Sequence, residues 1–282
     1  MSVLMPEPQG TQLGHATKYA ETYSPELLFP ISRNLGRDAI GAHDFRGVDL
    51  WRLYEFSWLT PTGLPVAAEV DVFVPATTPC IIESKSFKLY AMSFAMTPFN
   101  SIDEVRETLV RDLSKAAGGS VAVQIHLVPE WQAYVQAAPG ELLEKIAPDT
   151  RVSVYEVDPT LLVAAGHTDE TVTWSTNLFR SLCPVTGQPD FASVTVCMKG
   201  NLPAPAALLA YFASYRQHKG FHEQCVEQIY HDLMTRIQPD ALEVRAAFTR
   251  RGGIDINPFR SSLRDAPEAS ATLEAFPRER RQ

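Results

Sequence analysis

The run RSLCPVTGQPDFASV (180–194) sets the Cys183 thiol against Pro184 and a Val-Thr-Gly turn, and Asp190 follows seven residues later. A thiol at the end of a strand becomes a nucleophile once it ionises. If the turn closes a hairpin, the chain doubles back and returns the Asp190 carboxylate toward the sulfur. A carboxylate repels a thiolate unless it takes the proton itself, so the pair reads as a nucleophile with an acid/base partner. The alternative for Asp190 is a turn aspartate that bonds its own backbone. The other cysteines, Cys80, Cys197 and Cys225, lie in apolar runs or on an apolar helical stripe and read as small core residues.

Three further runs carry usable chemistry. GFHEQ (220–224) opens a helical segment with His222 and Glu223 at or near its cap, where unpaired N–H groups gather. Glu223 is there either a structural cap or a ligand contact, and His222 either a structural residue or a proton donor. IIESKSFKLY (81–90) places Glu83, Ser84, Lys85 and Lys88 among apolar residues at another helix start. This is either a solvated face with apolar lysine stems or a site, with a carboxylate for a donor-rich edge and Ser-Lys for phosphate. RRGG (250–253) pairs two arginines with two glycines, which suits phosphate as well. No GxGxxG follows a strand, so a dinucleotide here is not held in the Rossmann manner.

The elements that must position these residues occur twice. Setting Thr62 on Thr186 also aligns Gly63 with Gly187, Pro65 with Pro189 and Val70 with Val194, at an offset of 124. DEVRETLVRDL (103–113) lies on EQCVEQIYHDL (223–233) at an offset of 120, matching Glu107 with Glu227 and Asp112 with Asp232. Two matches in one order indicate a duplicated module. Apolar alternation predicts strands over 50–58, 66–74, 120–128 and 151–157 in the first copy, with helices near 87–95 and 102–116. The second copy predicts strands near 172–182, 191–199 and 241–250, with helices near 205–217 and 222–237. Each half reads as ββααββ, an antiparallel sheet with a helix pair on one face, and APDT (147–150) marks the hinge between them. The expected class is therefore α+β, with modules at 1–150 and 151–282.

Composition narrows the function. With 25 Lys and Arg against 33 Asp and Glu, the net charge is −8, which disfavours a broad grip on nucleic acid. The basic tail RERRQ (278–282) reads as a solvated end. No apolar run is long enough to span a bilayer, and MSVLMPEPQG lacks the pattern of a secretory leader. Four cysteines without a CxxC pair predict neither a disulfide framework nor a zinc knuckle, and a reducing cytoplasm is the expected compartment.

Taken together, ESKSFKLY, LCPVTGQPD, FHEQC and RRGGIDINP resemble the NADPH-dependent 7-cyano-7-deazaguanine reductases, the nitrile reductases of queuosine biosynthesis, in their long two-module form. The resemblance runs from YSPELL (23–28) to DINPFRS (255–261) and implies the tunnelling fold, in which tandem ββααββ modules form barrel-like assemblies. It implies Cys183, Asp190 and His222 as catalytic residues, with a covalent thioimide on Cys183. It implies Ile82, Glu83, Ser84, Phe221, His222 and Glu223 around the deazaguanine base. Ser84, Lys85, Arg251 and Gly252 would hold NADPH, and no metal is required. The implied partners are the small-molecule nitrile and a second copy in a homodimer, with no nucleic acid or membrane contact. Leu59 and Val66 stand where the second copy has Cys183 and Asp190, and MKGNLPAP (198–205) has nothing like ESKS, so each copy keeps what the other lacks. Rival readings are a zinc cyclohydrolase or other purine or pterin enzyme of the same fold, and a purine-binding module with an inert Cys183.

Overall fold

The computed structural model describes residues 20, 22–128, 135–263 and 277–282. The N-terminal stretch read for a leader, residues 1–10, lies outside them. In chain order the elements are β1 (Pro30–Ser32), α1 (Asn34–Ile40), β2 (Gly47–Leu59), β3 (Pro65–Pro75), β4 (Cys80–Ile82), α2 (Ser84–Met92), α3 (Ile102–Ala117) and β5 (Ala122–Leu127). There follow β6 (Val135–Gln136), β7 (Glu141–Leu142), α4 (Leu143–Ile146), β8 (Ala164–Leu182), β9 (Pro189–Pro203), α5 (Pro205–Ser214) and α6 (His222–Arg236). Last come β10 (Ala241–Phe248), β11 (Ile254–Ser261) and β12 (Arg278–Glu279). The class is mixed α+β. No helix among the described residues is long and apolar enough to cross a membrane.

Local chemistry accounts for the helix limits. The Ser101 hydroxyl caps α3 by accepting the Glu104 N–H at 3.1 Å, Asp103 and Glu104 favour its positive end, and Gly118 closes it at φ +74°. Pro205 opens α5, where a missing N–H costs nothing. The Glu83 carboxylate caps α2, which therefore starts earlier than its apolar pattern alone predicts.

The two halves match in side-chain detail. Tyr90 donates its hydroxyl proton to Asp112 at 2.8 Å, and Tyr211 to Asp232 at 2.6 Å. Ser93 and Ser214 each donate to the carbonyl of that tyrosine, Tyr90 or Tyr211, at 2.6 Å. The β2–β3 and β8–β9 turns both carry a left-handed glycine, Gly63 at φ +83° and Gly187 at φ +69°. Glu107 and Glu227 have diverged: the first is exposed and the second is buried.

The halves are not separate sheets. One eight-stranded sheet runs in the order β5-β3-β2-β11-β10-β9-β8-β7, antiparallel except at the β7–β8 pair. β11 lies between β10 of its own half and β2 of the other, with Ile254 opposite Leu53 and Ile256 opposite Trp51. Ile254 and Ile256 pack in the core beneath α2 and α3, with Trp51, Phe87 and Leu109. The second core joins Val194, Val244 and Phe248 of the sheet to Leu208, Val226 and Ile229 of α5 and α6. Each fully buried aliphatic or Phe side chain contributes roughly 1.5–3 kcal/mol.

Two expectations are overturned. Residues 151–157 form no strand, so the first half is ββααβ. Their alternating side chains reach only half burial, and the Gln217 N–H donates to the Tyr155 carbonyl at 3.1 Å, which holds the segment against the turn after α5. The tail is no solvated end either, since Glu279 and Gln282 are buried. The APDT stretch forms a turn in which the Thr150 N–H donates to the Ala147 carbonyl at 3.2 Å.

Buried charges fasten the seam. Arg260 of β11 is fully buried and donates to Asp49 of β2 at 2.7 Å and to Glu227 of α6 at 2.8 Å. Arg33 also reaches Asp49 at 2.7 Å, and Arg37 of α1 reaches Glu227 at 2.7 Å. The arginines outweigh the desolvation that burial imposes, and hold Asp49 and Glu227 below the usual carboxylate range. Removing one member of such a cluster strands its partners' charge away from water. Arg260→Leu is therefore expected to lose about 3–5 kcal/mol in urea unfolding. Arg106→Ala, which breaks an exposed pair with Asp103 on α3, is expected to change stability by less than about 0.5 kcal/mol.

Candidate active site

Residues from the starts of both α2 and α6 line one cavity of about 400 Å³. Trp51, Ile254 and Ile256 contribute its apolar wall. Ile82, Ser84, Lys85 and Lys88 enter from the first half, and Cys183, Asp190, Phe221, His222 and Glu223 from the second. Thr249, Arg250, Arg251 and Gly252 of the β10–β11 turn complete the rim. Two helix N-termini thus border one space, an arrangement that favours negative charge.

Cys183 is placed by its turn. Its N–H donates to the Gln188 carbonyl at 2.9 Å, and its carbonyl accepts the Gly187 N–H at 3.0 Å. The side chain is 8 % exposed, so the thiol sits at the cavity edge and not in bulk water. Cys225 lies behind it in the core, where burial pushes its thiol up to about 12. Cys80 and Cys197 are half-buried and outside the two main cores, and burial raises both thiols.

Asp190 sits opposite Ser181 across the β8–β9 hairpin, on the strand that returns past Cys183. Its carboxylate bonds side chains and not its own turn. Arg251 donates to it at 2.6 Å, and His222 Nε2 lies 3.4 Å away. Burial alone would raise its carboxyl, but His222 and Arg251 outweigh that and hold Asp190 below the usual range. At neutral pH it is a carboxylate, paired with both His222 and Arg251. The His222 ring stacks on Phe248 at 3.7 Å between centroids and 7° between planes, which fixes its orientation. Its Nδ1 is buried with no hydrogen-bond partner.

Glu223 is the least satisfied group of the site. It is 3 % exposed, and its Oε1 is buried without a partner. Burial, then the nearby Asp49 carboxylate, push its carboxyl up to about 7. A buried acceptor without a donor is costly unless a ligand supplies one. Phe221, expected beside the base, is the N-cap of α6, and its N–H is satisfied by the Gln224 side chain at 3.1 Å.

Glu83 differs from its expected setting. It is fully buried, its oxygens accept the Lys85 N–H at 2.9 Å and the Ser86 N–H at 2.7 Å, and it is not among the residues lining the cavity. Ser84, Lys85 and Ile82 do line it. Arg251 and Gly252 are at the rim, with Arg251 engaged by Asp190 and by the Gln188 side chain. Trp51, Gln188 and Arg250 also line the cavity without having been singled out. An aromatic residue within an apolar strand reads as core, so Trp51 carries no signal. Arg250 stood in the RRGG run but was not distinguished from its neighbour. Among the described residues, no group of three or more His, Cys, Asp or Glu side chains is arranged to hold a metal ion.

Comparison with known proteins bears on what this cavity serves. Residues 19–125 match a family model described as the N-terminal part of nitrile reductase, 7-cyano-7-deazaguanine-reductase, and residues 189–267 match one described as QueF-like protein. A Burkholderia lata protein named NADPH-dependent 7-cyano-7-deazaguanine reductase is 47% identical over 262 residues, covering 90% of this chain and 94% of that relative. The chain belongs to this reductase family. A Paraburkholderia xenovorans protein of the same name is likewise 47% identical, over 264 residues, with the same coverage. The solved apo structure of an archaeosine synthase QueF-Like superposes at a TM-score of 0.29 with 15% identity over 36% of this chain and 95% of that one, too slight a likeness to bear on fold or activity.

The raised carboxyl of Glu223 has a defined consequence for stability. Folding raises it from an ordinary 4.5 to about 7, so between those values the folded state binds more protons than the unfolded state. Its contribution to stability is therefore present at low pH and is lost as pH rises toward and through about 7. Glu223→Gln, which cannot ionise, is expected to gain stability relative to the parent between pH 5 and pH 8, as read by urea unfolding at the two values. A constant difference would contradict the assignment.

Proposed function

We propose that this chain uses NADPH to reduce the nitrile of 7-cyano-7-deazaguanine to the aminomethyl group, a step of queuosine biosynthesis, in the cavity at the starts of α2 and α6. The observation that carries the reading is that Cys183, Asp190, His222 and Glu223 line one cavity with Ser84 and Lys85 from the other half of the chain. The names of the relatives supply the substrate and cofactor.

The sulfur of Cys183 attacks the nitrile carbon. Its proton passes to Asp190 and on to the nitrile nitrogen, leaving a covalent thioimide with every atom retained. Two molecules of NADPH, bound in turn, would each supply one hydride, the first for the thioimide carbon and the second for the imine carbon. Between them the carbon–sulfur bond breaks and its electron pair returns to Cys183 as thiolate. Two protons are consumed overall, delivered to nitrogen through the Asp190–His222 pair. The Glu223 carboxylate accepts from the N–H groups of the base, and Phe221 covers its face. Glu83 belongs to the same base site through the turn it caps, with Ile82 and Ser84 beside it.

The residues present suit the cofactor. Lys85, Lys88 and Arg251 line the cavity with positive charge appropriate to phosphates. At Gly252, φ is +60° and an added Cβ would lie 2.7 Å from Lys88 Nζ, so glycine leaves the backbone open to close approach. Ser84, Lys85, Arg251 and Gly252 would hold the cofactor. In architecture the reading extends to the tunnelling fold, as tandem modules over 1–150 and 151–282, with a homodimer completing the barrel in the cytoplasm and no nucleic acid or membrane as partner.

The test is covalent. Incubation with the nitrile, without NADPH, is expected to raise the intact mass by that of one nitrile, and Cys183→Ala is expected to abolish both adduct and turnover. Cys80→Ala is expected to leave both nearly intact. An unshifted mass with Cys183 shown reduced, or nitrile-dependent NADPH oxidation by Cys183→Ala, would overturn the mechanism.

A further inference from the structure

Adjacent arginines leave the β10–β11 turn toward opposite faces of the sheet. Arg251 reaches Asp190 on the cavity side. Arg250 places its guanidinium over the Tyr54 ring at 4.2 Å and donates to the Gln282 carbonyl at 3.1 Å. Tyr54, Arg245 and Asn257 belong to the polar face, away from the helices, and the chain end 277–282 lies across it.

That crossing is built from specific contacts. Arg278 lies over the Tyr54 ring at 4.6 Å, beside Arg250. Arg245 of β10 donates to Glu279 at 2.7 Å and to the Pro277 carbonyl at 3.3 Å. The Gln282 side-chain amide donates to Asn257 of β11 and to the Phe248 carbonyl of β10, while its oxygen accepts the Glu279 N–H at 2.9 Å. Arg281 donates to the Asn177 carbonyl of β8 at 2.5 Å. The segment therefore touches strands from β2 to β8. Glu279 is 2 % exposed and Gln282 7 %. Burying charge in this way gives little stability by itself, because desolvation offsets the attraction. What it does give is a fixed geometry.

The fixed point is the turn. Gln282 bonds the strand on each side of it, at Phe248 of β10 and Asn257 of β11, and its carbonyl accepts from Arg250 of the turn. Three other bonds hold the turn: the Gly253 carbonyl accepts the Tyr54 N–H at 2.9 Å, the Thr249 N–H donates to the Phe191 carbonyl at 2.9 Å, and Arg251 donates to Asp190 at 2.6 Å. Gly252 and Gly253 are both left-handed, and the turn closes through the Arg251 N–H to the Ile254 carbonyl at 2.9 Å and the reverse bond at 3.3 Å. The same turn presents Arg251 and Gly252 to the cavity.

We infer that residues 277–282 are a strap that positions the Arg250–Gly253 turn for the cofactor, with Arg250, Glu279 and Gln282 as positioning residues that act through the turn. The inference deepens the reading above and rests on it for the identity of the cofactor. The geometry of the turn itself does not depend on that identity.

The test uses the full-length protein, a variant ending at Pro277, and Gln282→Ala. Hydrogen exchange at the Arg251 and Ile254 amides is expected to quicken about tenfold or more in both variants, with the α3 amides unchanged. The KM for NADPH is expected to rise about tenfold, while adduct formation on Cys183, which needs no NADPH, stays within about twofold of the parent. Unchanged exchange at the turn, or an adduct rate that falls in step with the rise in KM, would overturn the strap. If the shortened chain does not fold, Gln282→Ala decides by the same readouts. If the parent formed no adduct, the reading of the site would fall, and exchange at the turn would still decide the strap.

Discussion

Strand β11 is the constraint on which the rest depends. It lies between β2 and β10 and so makes one continuous sheet of two copies that would otherwise have separate edges. Its apolar side chains fill the first copy's core, and Arg260 from the same strand ties Asp49 of one half to Glu227 of the other. An unpaired strand edge is a liability and a buried lone charge is costly, so the join is hard to open at either level. The cavity lies directly beside it. Ile254 and Ile256 of β11 form part of its wall, and the turn leading into β11 forms part of its rim.

The two halves line the cavity with different residues. Both copies retain the tyrosine–serine–aspartate arrangement that packs their helices, because each still needs its own core. Neither needs a complete site once the seam brings the copies together. The first keeps a helix start with serine and lysine, and the second keeps the thiol, the aspartate and the histidine. Within the second set, electrostatics separates two carboxylates of similar burial. Asp190 is held ionised by His222 and Arg251, whereas Glu223 has an unmatched oxygen and a raised carboxyl. One is fixed as the charged partner of His222 and Arg251, and the other keeps an oxygen open to a donor.

Much of this was legible in the residues. Strands β2, β3, β8, β9 and β10 and the helix pairs follow from apolar period, and the hairpin turn predicts that Asp190 returns beside Cys183. Residues 151–157 misled because alternation reports a half-buried surface and not a hydrogen-bonding neighbour. β11 went unseen because it is buried on both faces, so its polar residues Asp255, Asn257 and Arg260 break the apolar pattern while serving ion pairs and amide bonds. The tail misled for a related reason. RERRQ looks solvated by composition, yet it meets a polar sheet face that offers Arg245, Tyr54 and Asn257 as partners. Glu83 was expected to face a ligand, but the helix it caps draws both of its oxygens inward.

The central claim is that a single ligand is gripped by both halves of the chain at once. A crystal structure of the protein soaked with 7-cyano-7-deazaguanine tests it most directly. The account predicts density continuous from the Cys183 sulfur to the former nitrile carbon, with the base within hydrogen-bond distance of Glu223 and in contact with Ile82 and Ser84. A ligand bound among residues of one half alone, or density that stops short of the sulfur, would contradict it.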